Sequence, residues 1–143
     1  MKSDSIRIAN CSGFYGDKLS VARDMIEGGP IDVLTGDYLA ELTMTILYNQ
    51  KLKRGEQHGY VGTFLKQFRD VAKLAQEKKI KIVTNAGGLN PSSMANSVKE
   101  IIDELNLDLK VAHIEGDDLM PRIDELYQEG EKLTNIDKSL DLQ

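Results

Sequence analysis

The chain has 143 residues, 41% of them apolar and 29% charged, with a formal net charge of −5 at neutral pH. That length suits one domain with a single core. The acidic balance, with no basic block beyond Glu77-Lys78-Lys79-Ile80-Lys81, argues against nucleic acid as a partner. No apolar run approaches the roughly 20 residues of a membrane-spanning helix, so no membrane partner is expected. The opening MKSDSIRIAN lacks the apolar core of a secretory signal, and one cysteine, Cys11, cannot close an internal disulfide. A reducing, cytoplasmic setting is the expectation.

Taken in chain order, a first short apolar run covers Ile6 to Cys11 and reads as a strand. A helix follows from about Ser20 to Glu27, then a second strand from Ile31 to Thr35. Tyr38 to about Lys53 reads as a fuller helix, apolar around much of its circumference and therefore expected to be well buried. The clearest helical stripe joins Val61, Phe64, Leu65, Phe68, Val71, Ala72 and Ala75 at spacings of three and four. A third strand is expected from Ile80 to Thr84. Met94, Ala95, Val98, Ile101, Ile102 and Leu105 then form a second stripe. Leu109 to Ile114 reads as a fourth strand, and Leu119 to Glu129 as a short helix. The runs are nearly continuous rather than alternating, the pattern of strands buried on both faces.

Strands alternating with crossover helices favour a parallel sheet, since right-handed βαβ connections join parallel neighbours most readily. The expected architecture is an open, Rossmann-like α/β sandwich: a mostly parallel sheet with helices on both faces. Half of a barrel is the alternative reading. Residues 1–133 are expected to form the single domain, with 134–143 a polar tail or the start of a connection.

Each expected strand runs into a polar or glycine-bearing segment: NCSGFYGD, LTGDYLAE, TNAGGLNP and HIEGDDLMP. In a parallel sheet these exits share one edge, where open α/β folds build ligand crevices. Gly87 and Gly88 permit close backbone approach, Asn90 suits an N-cap and Pro91 a first helical turn. That turn is either a place for an anion at a helix start or a capped turn. Phe14 and Tyr15, between Gly13 and Gly16, either cover a ligand or tuck onto the domain. Cys11 sits at a strand end with no adjacent base and reads as a small buried hydrophobe more readily than a nucleophile. Asp37 either caps a helix or works in the site. Glu115, Asp117 and Asp118 would repel one another without a cation such as Mg²⁺ or a basic group such as Arg122 or Lys18. His113 and Glu115 would share a strand face, as a base and carboxylate pair or as a structural contact.

The strings IRIANCSGFYGD, EGGPIDVLTGDYLAELT, KIVTNAGGLNP and KVAHIEGDDLMPR closely resemble the N-terminal part of the acyclic terpene utilisation family, the AtuA type, found in bacterial breakdown of citronellol and geraniol. The resemblance runs from about Ile6 to about Leu126. It marks Asn10, Ser12, Gly13, Gly16, Asp17, Thr35, Gly36, Asp37, Glu41, Asn85, Gly87, Gly88, Asn90, Pro91, Glu115, Gly116 and Asp117 as the signature positions. It implies a place in acyclic terpenoid or branched acyl-CoA catabolism, where terpenoid acids are handled as thioesters. Members of the family usually continue into further α/β units, so the resemblance also implies a homo-oligomer or a companion subunit over surface left bare.

The expectation is then a small anionic or acyl-CoA ligand at the strand ends. Asp37 or Glu115 would move a proton, Asn85 and Ser12 would orient a carbonyl, and the turn from Gly87 through Gly88 to Asn90 would hold an anionic group. Asn10, Gly13, Asp17, Thr35 and Asp117 complete the expected site. Two alternatives stand beside it: a non-catalytic assembly module, and a metal-dependent hydrolase using Asp37, Glu115 and Asp117.

Overall fold

The structure, a computed structural model, describes residues 5–132 and Thr134. Most of the expected tail, residues 135–143, lies outside the described residues. Three parallel strands form: β1 (Ile8–Asn10), β2 (Val33–Gly36) and β3 (Lys81–Thr84). They pair in the order β1-β2-β3, with Ile8 beside Val33 beside Lys81 and Asn10 beside Thr35 beside Val83. The helices are α1 (Val21–Gly28), α2 (Glu41–Arg54), α3 (Gly62–Lys78), α4 (Pro91–Glu104) and the short α5 (Ile123–Gln128), which follows a 3-10 turn at Met120–Arg122. The sheet is open, so this is the expected α/β class and not a closed barrel. None of the described helices is long and apolar enough to cross a membrane.

Because each strand is added on the same side of the last, every right-handed crossover lands on the same face. α1 to α4 accordingly build a layer against the face carrying Ala9, Leu34 and Ile82. The opposite rows stay open: Ile8 is 65% and Val83 57% exposed. The near-continuous apolar runs had suggested burial on both faces. In the described residues β1 and β3 are covered on one.

α3 is the spine of the core. Its three-and-four spacing sends Phe64, Phe68 and Ala72 into one cluster, with Tyr38, Leu47, Val61 and Ile102, and Val71 and Ala75 into another, with Ile26, Leu34 and Ile80. A buried side chain of this size contributes about 1.5–3 kcal/mol, so α3 ties the sheet to α1, α2 and α4 more strongly than the short ladders do. The helix ends on Lys79 in the left-handed region (φ 57°), whose N–H reaches back to Ala75 and Gln76. α1 stops where Gly29 and Pro30 lead the chain into β2. Arg23 clips α1 to α3 by contacts to Asp70 of 2.8–3.0 Å.

Two expectations fail. α2 buries only Thr43 and Leu47, and leaves Leu42, Tyr48 and Leu52 at 72%, 52% and 65% exposure, so one side of it is uncovered among the described residues. Leu109 to Ile114 is not a strand. Leu107 and Leu109 pack against the core, but the chain then leaves it, and Ile114 is 92% exposed. Apolar spacing records what a segment can bury, whereas a strand also needs a ladder partner, and β3 keeps that edge unpaired among the described residues.

At the other end of the sheet Arg7 and Asp32 form a two-pronged pair, with contacts of 2.8 and 2.9 Å, joining the entries to β1 and β2. The guanidinium and the Arg7 N–H hold the Asp32 carboxyl well below the usual carboxylate range. A depressed folded value means the stabilisation is present above the ordinary aspartate pKa of about 3.9 and is lost as pH falls through the lower folded value. Asp32→Asn should therefore trail the wild type in urea midpoint at pH 7, by a gap that narrows as pH is lowered below about 4. Both side chains are partly solvated, so the gap is expected to be small.

Candidate functional site

Three of the four polar exits meet. The Asp37 N–H donates to the Ser12 carbonyl (3.0 Å), so the exits of β1 and β2 are joined by backbone. Asn85 joins the exit of β3 to that of β2: its Nδ2 donates to Asp37 Oδ1 (2.6 Å), and its Oδ1 accepts from the Tyr38 N–H (2.8 Å). Asn10 donates through Nδ2 to the Ser12 carbonyl (2.7 Å), and the Thr35 hydroxyl lies 3.1 Å from Asn10 Oδ1. Strand alternation places Asn10 and Thr35 on the open face beside Val83, with exposed Asp37 and Asn85 continuing it. Asp37 is not the N-cap of α2, which is Ala40, and among the described residues its Oδ2 has no hydrogen-bond partner.

The arrangement is a row of fixed hydrogen-bonding groups with one free carboxylate oxygen. It can accept a hydrogen bond from a ligand hydroxyl or N–H, or take up a proton. No Lys or Arg among the described residues pairs with Asp37 or Asp17; Lys18, the nearest in sequence, pairs with Asp24 at 3.4 Å. The groups gathered here are therefore amides, a hydroxyl and a carboxylate tied by hydrogen bonds rather than by ion pairs.

Ser12, Gly13 and Asp17 build the loop after β1. The Ser12 hydroxyl donates to the Phe14 carbonyl (3.0 Å), and Asp17 Oδ2 accepts from the Gly13 N–H (2.9 Å). Their polar atoms shape the loop. Beneath it lies a buried group made by Cys11, Ser12, Tyr38 and Gln67. Tyr38 donates to Gln67 Oε1 (2.5 Å), while Gln67 Nε2 reaches the Lys18 carbonyl (3.4 Å). Burial pushes the Tyr38 hydroxyl and the Cys11 thiol up, so both stay protonated at neutral pH, and the thiol is not a ready nucleophile. Sequence reading missed Gln67. The available signal was its position: it lies on the apolar stripe of α3, three residues after Phe64 and four before Val71.

The turn after Asn85 is packed rather than open. A Cβ on Gly87 would come within 2.8 Å of Pro91 Cβ, and one on Gly88 within 2.4 Å of Leu47 Cδ1 and 2.8 Å of the Gly59 carbonyl. Asn90 Oδ1 accepts from the Ser93 N–H (3.0 Å) as the N-cap of α4, and its Nδ2 donates to the Glu56 carbonyl (2.7 Å). The cap takes up the Ser93 N–H of the helix start, the capped turn of the two readings. Asn90→Ala removes the cap and the strap to the α2–α3 connection together, an expected loss of about 1.5 kcal/mol in urea unfolding.

The fourth exit stands apart. Glu115 contacts His113 (3.3 Å), both exposed, and Asp118 Oδ1 accepts from the Met120 N–H (3.0 Å), a local turn. Asp117 is exposed, and none of these acids is hydrogen-bonded to Asp37 or Asn85. Arg122 pairs with Glu125 instead (2.9 Å). Among the described residues no three His, Cys, Asp or Glu side chains gather in a way that suits a metal ion, so the trio Asp37, Glu115 and Asp117 does not fit a shared divalent cation such as Mg²⁺.

Comparison with known families agrees with the motifs at these exits: the description "Acyclic terpene utilisation family protein AtuA" matches residues 6–143. Comparison with curated proteins and with solved structures gives no match. The matched span takes in β1 to β3 and all the described helices, so the chain belongs to the acyclic terpene utilisation family.

Proposed function

We propose that this chain binds a small branched acyl or terpenoid ligand at the C-terminal ends of β1 to β3, as part of acyclic terpenoid or branched acyl-CoA catabolism. The observation that carries the reading is the exposed Asp37–Asn85 pair, whose second carboxylate oxygen has no hydrogen-bond partner among the described residues, at the strand ends that also carry Asn10 and Thr35. Asp37 accepts the ligand's proton or hydrogen bond, Asn85 fixes the carboxylate, and the apolar side chains of Ile8, Val33 and Val83 on the same face of the sheet take the branched chain. The pairing of an apolar strip with a polar end supports an amphiphilic ligand, with or without the coenzyme A carrier. Titration calorimetry with isovaleryl-coenzyme A and with geraniol tests it. Saturable heat lost in Asp37→Asn is expected, and no heat from either probe at millimolar concentration overturns it.

A second reading, an assembly module that docks on a companion subunit or a second copy, is favoured by the exposed Ile8, Val83, Leu42, Tyr48 and Leu52. Native mass spectrometry distinguishes it: a stable oligomer that takes up neither probe is the outcome expected of a module alone.

A further inference from the structure

We propose that the loop from Ser12 to Ser20 is a tethered flap over the strand-end site, with Phe14 as the residue that closes on the ligand's apolar part. The proposal rests on the binding reading above and adds the element that covers the site.

The strand-end groups lie on open surface. A void of about 10 Å³ lies beneath the loop, lined by Cys11, Tyr38, Gln67 and Leu34, too small for such a ligand, and an open groove of about 360 Å³ runs between α3 and α4 at Arg69 and Glu104. A ligand on Asp37 and Asn85 therefore needs a wall that the fixed elements do not supply. The loop is next to that site, since the Ser12 carbonyl holds the Asp37 N–H and the Ser12 hydroxyl holds the Phe14 carbonyl.

The two loop aromatics are treated differently. Tyr15 packs against the core, and its hydroxyl accepts from Gln50 of α2 (3.2 Å). Phe14 is 59% exposed, with its ring lying over Gly16, where a Cβ would sit 2.9 Å from the ring. An exposed large aromatic on a glycine-bracketed loop beside a polar site is apolar area held ready for a partner. Gln67 is the second tether: buried in α3, it spends one end on Tyr38 and the other on the Lys18 carbonyl. The loop is held at Tyr15 and at Lys18 and presents Phe14 ahead of both, an arrangement that lets a short segment move without unfolding the core.

Lys18 gives a direct readout: its side chain is exposed, and trypsin cuts after it faster when the backbone there is released from its hydrogen bonds. With fragment mass spectrometry on the full chain, Gln67→Leu is expected to raise the initial cutting rate at Lys18 about tenfold, and geraniol or isovaleryl-coenzyme A to slow it in the wild type. Should Gln67→Leu fail to fold, Tyr15→Phe, which removes only the hydroxyl held by Gln50, is expected to speed the same cut about threefold. Folded variants that are cut no faster overturn the tethering. Phe14→Ala, an exposed change, is expected to weaken calorimetric binding of the probes about tenfold while leaving ligand-free cutting unchanged. If the wild type binds and Phe14→Ala binds equally well, the flap falls and the site reading stands; if the wild type binds neither probe, both fall.

Discussion

Replacing Gly88 by valine is expected to cost about 4 kcal/mol of stability, the largest effect of any single change in the turn after β3. Gly88 has φ +54°, in the left-handed region, where a β-branched residue is strained by roughly 1–2 kcal/mol. Space adds to the strain: the new Cβ would lie 2.4 Å from Leu47 Cδ1 and 2.8 Å from the Gly59 carbonyl. Leu47 is fully buried and Gly59 O already accepts from the Leu89 N–H at 2.8 Å, so neither neighbour can yield without disturbing α2 or the α2–α3 connection. Overpacking of this kind costs about 1–3 kcal/mol beyond the strain. Gly28→Ala is the control, since nothing lies within 4 Å of its added methyl and the change should fall within about 0.5 kcal/mol of neutral. Urea unfolding of the pair decides it. A loss below about 1 kcal/mol in Gly88→Val would show the glycine is not there for packing.

Asn85→Ala is expected to cost about 3 kcal/mol and to abolish binding at the strand ends. One side chain performs two tasks there, accepting from the partly buried Tyr38 N–H and donating to the Asp37 carboxylate, and alanine leaves the Tyr38 N–H without a partner and Asp37 with only the long contact from the Leu39 N–H (3.4 Å). Asn85→Asp separates the tasks. It keeps an acceptor for Tyr38 but sets a second carboxylate against Asp37, where the present contact is 2.6 Å. Two carboxylates that close cannot both ionise comfortably, so one takes a raised pKa. With the folded value above the unfolded one, stability is recovered as pH falls and lost as it rises. The Asn85→Asp variant should therefore gain on the wild type between pH 7 and pH 5, while Asn85→Ala should not. Parallel pH profiles for the two variants would refute the shared-carboxylate account.

The parts of the fold that were legible in the sequence are those where apolar spacing decides the outcome alone. The stripe from Val61 to Ala75 gives α3, the stripe from Met94 to Leu105 gives α4, and the three short runs ending at Cys11, Thr35 and Thr84 give β1 to β3 within a residue or two of their observed limits. Leu109 to Ile114 has the same composition, yet a ladder needs a neighbour, and no residue of the run states which edge it will join. α2 misled because its apolar residues surround it, a pattern that normally signals burial; nothing in a single sequence says whether the outer side will be covered. The convergence of Asn10, Asp37 and Asn85 followed from parallel strands, whereas the packing role of Gly88 depended on Leu47 and Gly59, some 30–40 positions earlier in the chain. Gln67 escaped because its partners, Tyr38 and Lys18, are also distant in sequence.

Handedness also governs how this sheet can be extended. A strand joined outside β3 keeps the same direction of travel and brings its helix to the layer already filled by α1 to α4. A strand joined outside β1 reverses direction and must carry its helix across Ile8, Val33 and the Asp37–Asn85 pair. The edge at which new chain enters thus decides whether the carboxylate gains a roof or stays in water.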